Sequence, residues 1–307
     1  MSLPRRSVLA LISIGTLILV WGSTWSVIQV GLRDMPPMTG IALRFGLASL
    51  LLLGLAWHRG VALGRTRIER RLWVVNSVFS FSISYGVVYW AEQWISSGLA
   101  AVLFATFPLW VAILAHYWIP GEHLTARGLL GVVIGFAGVV WIFADDLGGG
   151  HGDVTMAASI MLLSPVAAAI GSVAIKRWGR QVHPLSLTAI PMGLCSLTMA
   201  VLAWILERDM SIVWSTETIV ALLYLAIAGS AVTFTLYFWL LQFVPLTRLS
   251  LITYCVPVVA VTIGISVMGD TAGRGTIAGT LLILGGVSLA ITGRGGSATR
   301  PGGAAST

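Results

Sequence analysis

Residues 98–118 read GLAAVLFATFPLWVAILAHYW, a run that contains no Asp, Glu, Lys or Arg. About 20 apolar residues in a helix cross the ~30 Å hydrocarbon core of a bilayer, so this run predicts a transmembrane helix. The composition of the chain agrees, because 57% of its 307 residues are hydrophobic and 9% are charged. A soluble domain carries about 25% charged residues. The sequence therefore excludes a soluble enzyme, a disordered chain and a coiled coil, and predicts an all-α polytopic membrane protein.

Apolar runs of this kind recur along the whole chain. Ten can be marked, and each predicts one crossing: 8–31, 38–57, 72–91, 98–118, 125–143, 154–176, 185–206, 217–241, 248–268 and 275–293. The first run is too long for the apolar core of a signal peptide and is predicted to be a retained helix. The Gly-rich, polar residues 294–307 are predicted to form a disordered tail.

The basic residues predict the orientation of these crossings. With a cytoplasmic N-terminus, fourteen Lys and Arg residues fall on the cytoplasmic side, and only Arg33, Arg208 and Arg274 fall on the other. This positive-inside bias predicts that both termini are cytoplasmic. It also accounts for the net charge of +7 without a nucleic-acid partner. The expected partners are the lipid bilayer and a small-molecule substrate.

The two halves of the chain resemble each other at an offset of about 148 residues. Pro108 matches Pro257 and Tyr89 matches Tyr237, and two glycines of the fifth run match two of the tenth, namely Gly131 and Gly138 with Gly279 and Gly286. We therefore expect one repeat over 1–147 and a second over 148–293. Five crossings are an odd number, so the second repeat must be inverted relative to the first. Inverted repeats are typical of secondary transporters.

Four stretches resemble the EamA repeat of the drug/metabolite transporter superfamily, and the resemblance covers residues 8–293. They are WGSTW (21–25), LRF (43–45), AEQWISSGLAAVLFATFPLWVAILA (91–115) and PGEHLTARGLLGVVIGFAGVVWI (120–142). The resemblance implies ten helices, cytoplasmic termini and a central cavity lined by helices 1, 3, 4, 6, 8 and 9. It also implies export or exchange of amino acids and other small metabolites. Val256 and Asp270 stand where many members have Glu, which weakens the transfer of a coupling residue.

The predicted function is secondary transport of small metabolites such as amino acids, by alternating access across a bacterial inner membrane. The alternative is a proton-coupled efflux carrier for drugs or toxic compounds, and a channel is less favoured. An intramembrane enzyme is not expected, because the sequence contains neither an HExxH motif nor an evident Ser–His pair. The cysteines Cys195 and Cys255 indicate neither a disulfide framework nor a metal site, and no cofactor is expected.

Aromatic residues in the middle of spans are the first candidates for the substrate site. Trp21 and Trp25 share one helix face, with Thr24 between them, and Trp110 lies mid-span in the fourth run. A buried indole N–H needs a partner, which a polar cavity would supply. These residues are predicted either to form an aromatic cavity wall or to pack between helices.

Two prolines mark helix interruptions that favour a binding region. Pro108 and Pro257 each remove a backbone donor at membrane depth, which is tolerated beside protein or a water-filled cavity. The residues before them and three tyrosines on neighbouring spans complete the candidate site: Thr106, Phe107, Thr253, Tyr254, Tyr85, Tyr89 and Tyr237.

Two charged residues are predicted to lie within or at the end of spans. Arg44 must face protein or water, since an unpaired charge in a helix centre costs about 3 kcal/mol or more. It is interpreted as a substrate-carboxylate ligand or as an internal clamp on Glu92 or on backbone carbonyls. Glu92 is interpreted as an amine ligand, a proton acceptor or an interfacial carboxylate.

Two GxxxG motifs predict close helix packing. Gly131 with Gly135, and Gly275 with Gly279, lie on the fifth and tenth runs. They indicate tight packing within the chain or a dimer face, so the expected assembly is a monomer or a homodimer.

Overall fold

The computed structural model describes residues 3–119, 125–147, 152–244, 249, 252–269 and 273–292, and all regular structure in these ranges is helical. The expectation of an all-α protein is confirmed. The predicted tail at 294–307 and Asp270 lie outside the described residues, and the side chain of Tyr254 does too.

Over its described residues, the first half contains seven α-helices and one π-helical stretch. In chain order they are α1 (Leu3–Leu32), α2 (Pro37–His58), α3 (Arg67–Val75), the π-helix π1 (Asn76–Ile83), α4 (Ser84–Ala91), α5 (Ser97–Phe104), α6 (Phe107–Trp118) and α7 (Ala126–Leu147).

The second half is likewise helical over its described residues. Its described elements are α8 (Gly152–Met161), α9 (Leu163–Trp178), α10 (Pro184–Leu206), α11 (Thr216–Ala226), π2 (Ile227–Val232), α12 (Thr233–Leu241), α13 (Ile252–Ile263), π3 (Gly264–Met268) and α14 (Arg274–Thr292).

Seven helical stretches of the described chain are long and apolar enough to cross a membrane. They are Val8–Leu32, Pro37–His58, Arg67–Ala91, Ser97–Trp118, Gly152–Trp178, Pro184–Leu206 and Thr216–Leu241. Three shorter apolar helices accompany them at Ala126–Trp141, Cys255–Met268 and Ile277–Gly286. The chain is therefore a multi-pass membrane protein.

Local sequence explains where several helices begin. Pro37 and Pro184 occupy the first turn of α2 and α10, where a missing N–H removes no intrahelical bond. Thr66 and Ser215 cap α3 and α11, with hydroxyl oxygens that accept from Glu69 N at 3.0 Å and Thr218 N at 3.2 Å.

Helices α2 and α10 pack against each other through a reciprocal pair of contacts. Ser49 Oγ donates to the carbonyl of Ala189 at 2.8 Å, and Ser196 Oγ donates to the carbonyl of Ala42 at 2.8 Å. Ala42, near the start of α2, thus meets Ser196, which lies later in α10 than Ala189. Ser49, later in α2, meets Ala189, near the start of α10. The two helices are antiparallel.

Glycines allow a close approach of α7 and α14. A Cβ atom at Gly138 would lie 2.7 Å from Gly279 O, and one at Gly286 would lie 2.5 Å from Gly131 O and 2.3 Å from Gly135 N. Glycines of both GxxxG motifs therefore lie at an interface within the chain, where backbone meets backbone. The order of these contacts makes α7 and α14 antiparallel as well.

Irregular backbone lies near the middle of several spans. The fourth span is interrupted between Phe104 and Phe107, where Thr106 Oγ donates to Leu103 O at 2.8 Å. Pro257 lies inside α13. The π-helical stretches π1 and π2 occupy the third and eighth predicted spans, and such wide turns often occur at functional sites.

Candidate substrate-binding cavity

A central cavity of about 110 Å³ lies between the helices that surround these irregular segments. It receives side chains from α1, π1, α4, α5, α6, α9, α12 and α13. These elements belong to the predicted spans 1, 3, 4, 6, 8 and 9, the set that the family resemblance implies. Both halves of the chain contribute to its wall.

Eight of the 17 residues that line the cavity are aromatic. The Trp21 ring centroid lies 5.4 Å from those of Phe234 and Tyr237, in tilted contacts. Trp25 lies 5.4 Å from Phe104. These distances are typical of stable aromatic pairs, so the first helix is joined to the eighth and fourth predicted spans by rings that border the cavity.

Most hydroxyl groups at the wall already bond within the protein. Thr24 Oγ donates to Trp21 O at 2.8 Å, and Ser84 shares a hydrogen bond of 2.9 Å with Ser164. Tyr237 OH lies 3.4 Å from Ser172 Oγ, which is long for a hydrogen bond. Trp21 Nε1 is buried and has no hydrogen-bond acceptor among the described residues.

Five of the predicted substrate-binding residues line this cavity: Trp21, Thr24, Trp25, Tyr85 and Tyr237. Phe107 and Thr253, predicted from their positions beside the prolines, line it too. Sequence reasoning missed several others, chiefly Ser80, Ser84, Ser172, Phe234 and Phe238. Helical spacing could have found some of them, because Ser84 adjoins Tyr85 and Phe234 lies one turn from Phe238.

Other predicted residues lie away from the central cavity. Tyr89 lines a second cavity of about 20 Å³, and Thr106 is fully buried against its own helix. Trp110 packs edge-on against Phe136 at 5.2 Å, and its Nε1 is buried without an acceptor in the described chain. Glu92 is 4% exposed.

The two prolines are buried within their own helices. Pro108 lies at the first turn of α6, and Pro257 lies inside α13. Their neighbours Phe107 and Val256 reach the cavity, so the interruptions adjoin the cavity wall.

The Arg44 side chain is buried beside the cavity and surrounded by hydrogen-bond acceptors. Its Nε donates to Ser230 Oγ at 2.8 Å, Nη1 to Tyr89 OH at 3.3 Å and Nη2 to the carbonyl of Gly229 at 3.2 Å. Its guanidinium lies 4.8 Å from the ring centroid of Tyr85, close enough for a cation–π interaction. Arg44 is 1% exposed. The side chain therefore joins α2 to the eighth predicted span.

A bundle of apolar helices around a central aromatic cavity is typical of polytopic membrane transport proteins. The match to the EamA-like transporter family, at residues 8–144 and 155–292, identifies the particular class. Because the matched ranges cover most of the chain, the protein belongs to the EamA-like transporter family.

Several named relatives align along most of this chain. It is 23% identical to the uncharacterized transporter YoaV of Bacillus subtilis, over 88% of this chain and 92% of YoaV. It is 28% identical to the uncharacterized inner membrane transporter YedA of Escherichia coli K12, over 84% and 82% of the two chains. Protein PagO of Salmonella typhimurium is 25% identical over 80% of each chain.

A solved protein crystal structure also resembles the fold. The TM-score is 0.68 at 19% identity, over 92% of this chain and 96% of the other. This likeness supports the fold alone.

Proposed function

We propose that the protein is a secondary transporter that exports or exchanges small organic metabolites across the bacterial inner membrane by alternating access. The observation that carries this proposal is a central cavity to which both halves of the chain contribute, with Trp21 from the first half against Phe234 and Tyr237 from the second. Substrate sites of transporters with repeated halves lie at such an interface.

The proposed architecture has ten spans in two inverted five-span repeats, 1–147 and 148–293, with both termini in the cytoplasm. The family model matches once in each half, which supports the repeat. The packing supports it as well. In the proposed repeat α1 corresponds to α9, and α13 corresponds to α6. Helix α1 contacts α13, and α9 contacts α6 in the same way.

The inversion of the repeats is supported by the directions of two helix pairs. Helices α2 and α10 are equivalent in the two halves, and their reciprocal serine contacts make them antiparallel. The same holds for α7 and α14, whose glycines meet in opposite order. Two equivalent units with opposite directions can exchange conformations, so that one arrangement opens inward and the other opens outward.

Flux measurements test the carrier proposal against a channel. The purified protein is reconstituted into proteoliposomes, and the vesicles are loaded with an unlabelled amino acid or neutral aromatic compound. Uptake of the same compound in labelled form is then followed. A carrier gives saturable uptake that internal substrate stimulates. A conductance that does not saturate would overturn the proposal.

Alanine variants test the place of the substrate. The double variant Trp21→Ala, Trp25→Ala removes two rings of the cavity wall and is expected to reduce flux at least tenfold. The control Trp204→Ala changes a tryptophan that is 69% exposed, and it should retain flux. Unchanged flux in the folded double variant would contradict the assigned site.

A second candidate function is proton-coupled efflux of drugs or toxic compounds. It is favoured by the aromatic wall of the cavity, which suits apolar compounds. Glu92, a buried carboxyl group one turn from Tyr89, is then the coupling residue.

A further inference from the structure

The chemistry of the cavity wall restricts the charge of its ligand. Of the described residues that line it, none is Asp, Glu, Lys, Arg or His. Transfer of a charged group from water to an apolar site is strongly unfavourable unless a counter-charge or several hydrogen bonds receive it. An amino-acid zwitterion brings two such groups.

The permanent cation that adjoins the cavity wall, Arg44, is already bound by the protein. Arg44 makes three hydrogen bonds to Ser230, Tyr89 and Gly229 and is 1% exposed. A substrate carboxylate would have to displace these partners and move the Tyr85 ring, which lies against the guanidinium and lines the cavity. Arg44 therefore organises the wall and does not receive an anion.

The volume of the cavity suits one aromatic ring. Its volume of about 110 Å³ is close to that of the ~150 Å³ apolar cavity that holds benzene. Rings from several helices border it at tilted angles, among them Trp21, Trp25 and Phe234. A planar ligand can make stacked or edge-on contacts with such walls.

One residue that lines the cavity, Trp21, carries a polar group without a hydrogen-bond acceptor in the part of the chain that the structure describes. The N–H of Trp21 is buried without an acceptor in the described chain, whereas Thr24 and Ser84 bond within the protein. A buried donor that lacks a partner destabilises the protein, because it has lost its hydrogen bond to water. A carbonyl oxygen on the ligand would satisfy this donor once the Trp21 side chain turns its N–H towards the cavity, because the buried nitrogen is closed to a ligand in this conformation.

We infer that the central cavity selects uncharged, planar aromatic compounds with a hydrogen-bond acceptor, and discriminates against amino acids and other ions. This inference rests on the proposed carrier function and specifies its substrate class. It places Trp21 as the residue that determines specificity, through both its ring and its N–H.

A set of ligands with one ring and different charges tests the inference. The probes are benzamide (neutral), benzoate (anion), benzylamine (cation) and L-phenylalanine (zwitterion). Binding of each labelled probe to the full chain in lipid nanodiscs is measured by equilibrium dialysis, with empty nanodiscs as the control for partition into lipid. Benzamide is expected to bind saturably, and the other three at least tenfold more weakly.

Two matched variants test the role of the indole N–H. Trp21→Phe keeps a ring but removes the donor, and is expected to weaken benzamide binding at least fivefold. Competition by toluene, which has no acceptor, should be retained. Trp110→Phe also removes a buried indole N–H without a described acceptor, but away from the cavity, and should leave benzamide binding unchanged.

The outcomes separate this inference from the carrier proposal. If L-phenylalanine binds as tightly as benzamide, or if Trp21→Phe binds benzamide normally, the inference is overturned, whereas saturable counterflow of L-phenylalanine would still support a carrier. If benzamide binding is saturable and depends on Trp21 but counterflow of benzamide is absent from proteoliposomes, the ligand class stands and the carrier proposal fails.

Discussion

Ser49 and Ser196 lie 147 residues apart in the sequence, and each donates a hydrogen bond of 2.8 Å to a backbone carbonyl of the other's helix. The accepting residues, Ala42 and Ala189, are also 147 residues apart. The two bonds are therefore reciprocal, which agrees with the proposed inverted repeat.

This relationship predicts equal effects of equivalent substitutions. Ser49→Ala and Ser196→Ala each lose one hydrogen bond between helices, so each should reduce stability by about 0.5–1 kcal/mol. The measurement is thermal unfolding of purified protein in one detergent. Effects of clearly different size would contradict the proposed inverted repeat.

Glycines at the same contact give a sharper test. A Cβ atom at Gly46 would lie 2.7 Å from Ser196 Oγ, and one at Gly193 would lie 2.7 Å from Ser49 Oγ. Gly46→Ala and Gly193→Ala should therefore each displace the facing serine and lower the unfolding temperature by similar amounts. Gly54→Ala, in the same helix as Gly46, meets nothing within 4 Å and serves as the control.

The sequence predicted the depth of residues better than the direction in which they face. Trp21 and Trp110 are both mid-span aromatics, yet Trp21 lines the cavity and Trp110 packs on Phe136. Position in a run sets the depth in the membrane, but the face is set by the neighbouring helices. Trp25 could be placed on the same side as Trp21 because residues four apart in a helix lie on the same face.

Contacts between distant helices could not be read from one sequence. The matched glycines predicted equivalent positions in the repeat, but not that Gly286 meets Gly131 and Gly135 across the α7–α14 interface. The π-helical turns of Asn76–Ile83 and Ile227–Val232 have no simple composition signal. They carry Ser80 and Ser230, which adjoin the cavity and Arg44 respectively.

The α7–α14 interface predicts different effects on stability when two adjacent glycines, Gly285 and Gly286, are replaced by alanine. Gly286→Ala places a Cβ atom 2.3 Å from the backbone nitrogen of Gly135, whereas Gly285→Ala meets nothing within 4 Å. The first variant must separate two helix backbones and should lose about 1–3 kcal/mol, and the second should match the wild type. Thermal unfolding distinguishes them, and equal stability of the two variants would contradict the close packing.

Arg44 is expected to act as a structural clamp. Arg44→Ala leaves three buried acceptors without their donor, so it should lose about 3 kcal/mol or more. Arg44→Lys retains the charge but cannot reproduce the planar donor geometry, and its stability should be intermediate. Yield and unfolding temperature in detergent are the measurements. Arg208→Ala removes an exposed arginine as the control, and an Arg44→Ala protein as stable as this control would rule out the clamp.

Asp34, in the loop between α1 and α2, predicts a pH-dependent contact between the halves. Its Oδ2 accepts hydrogen bonds from Ser215 Oγ at 2.6 Å and Thr218 Oγ1 at 2.8 Å. These two bonds hold the pKa of the carboxyl group below its ordinary value of 3.8. The carboxylate therefore stabilises the folded state fully above pH 3.8, and this stabilisation is lost as the pH falls through the lowered pKa.

The variant Asp34→Asn isolates this contribution. The difference in unfolding temperature between wild type and variant should be constant near neutral pH and should shrink in strongly acidic buffer. Ser215→Ala should move the pKa of Asp34 upward, towards 3.8, so that the pH-dependent part of the difference becomes smaller and is complete at a higher pH. A difference that does not change with pH would show that the carboxylate has no such role.

Glu92 provides the test of proton coupling, because it is a buried carboxyl group at the end of α4, close enough to Arg44 and Tyr89 for electrostatic interaction. A carboxyl group that alternates between such a site and water can take up and release a proton in each cycle. Glu92→Gln cannot, so uptake driven by a pH gradient should disappear, while exchange of labelled for unlabelled substrate at equal pH should persist. Glu217→Gln changes an exposed carboxylate and should retain the response to the gradient. If Glu92→Gln keeps the pH dependence of the wild type, Glu92 does not couple protons, and the efflux alternative loses its proposed coupling residue.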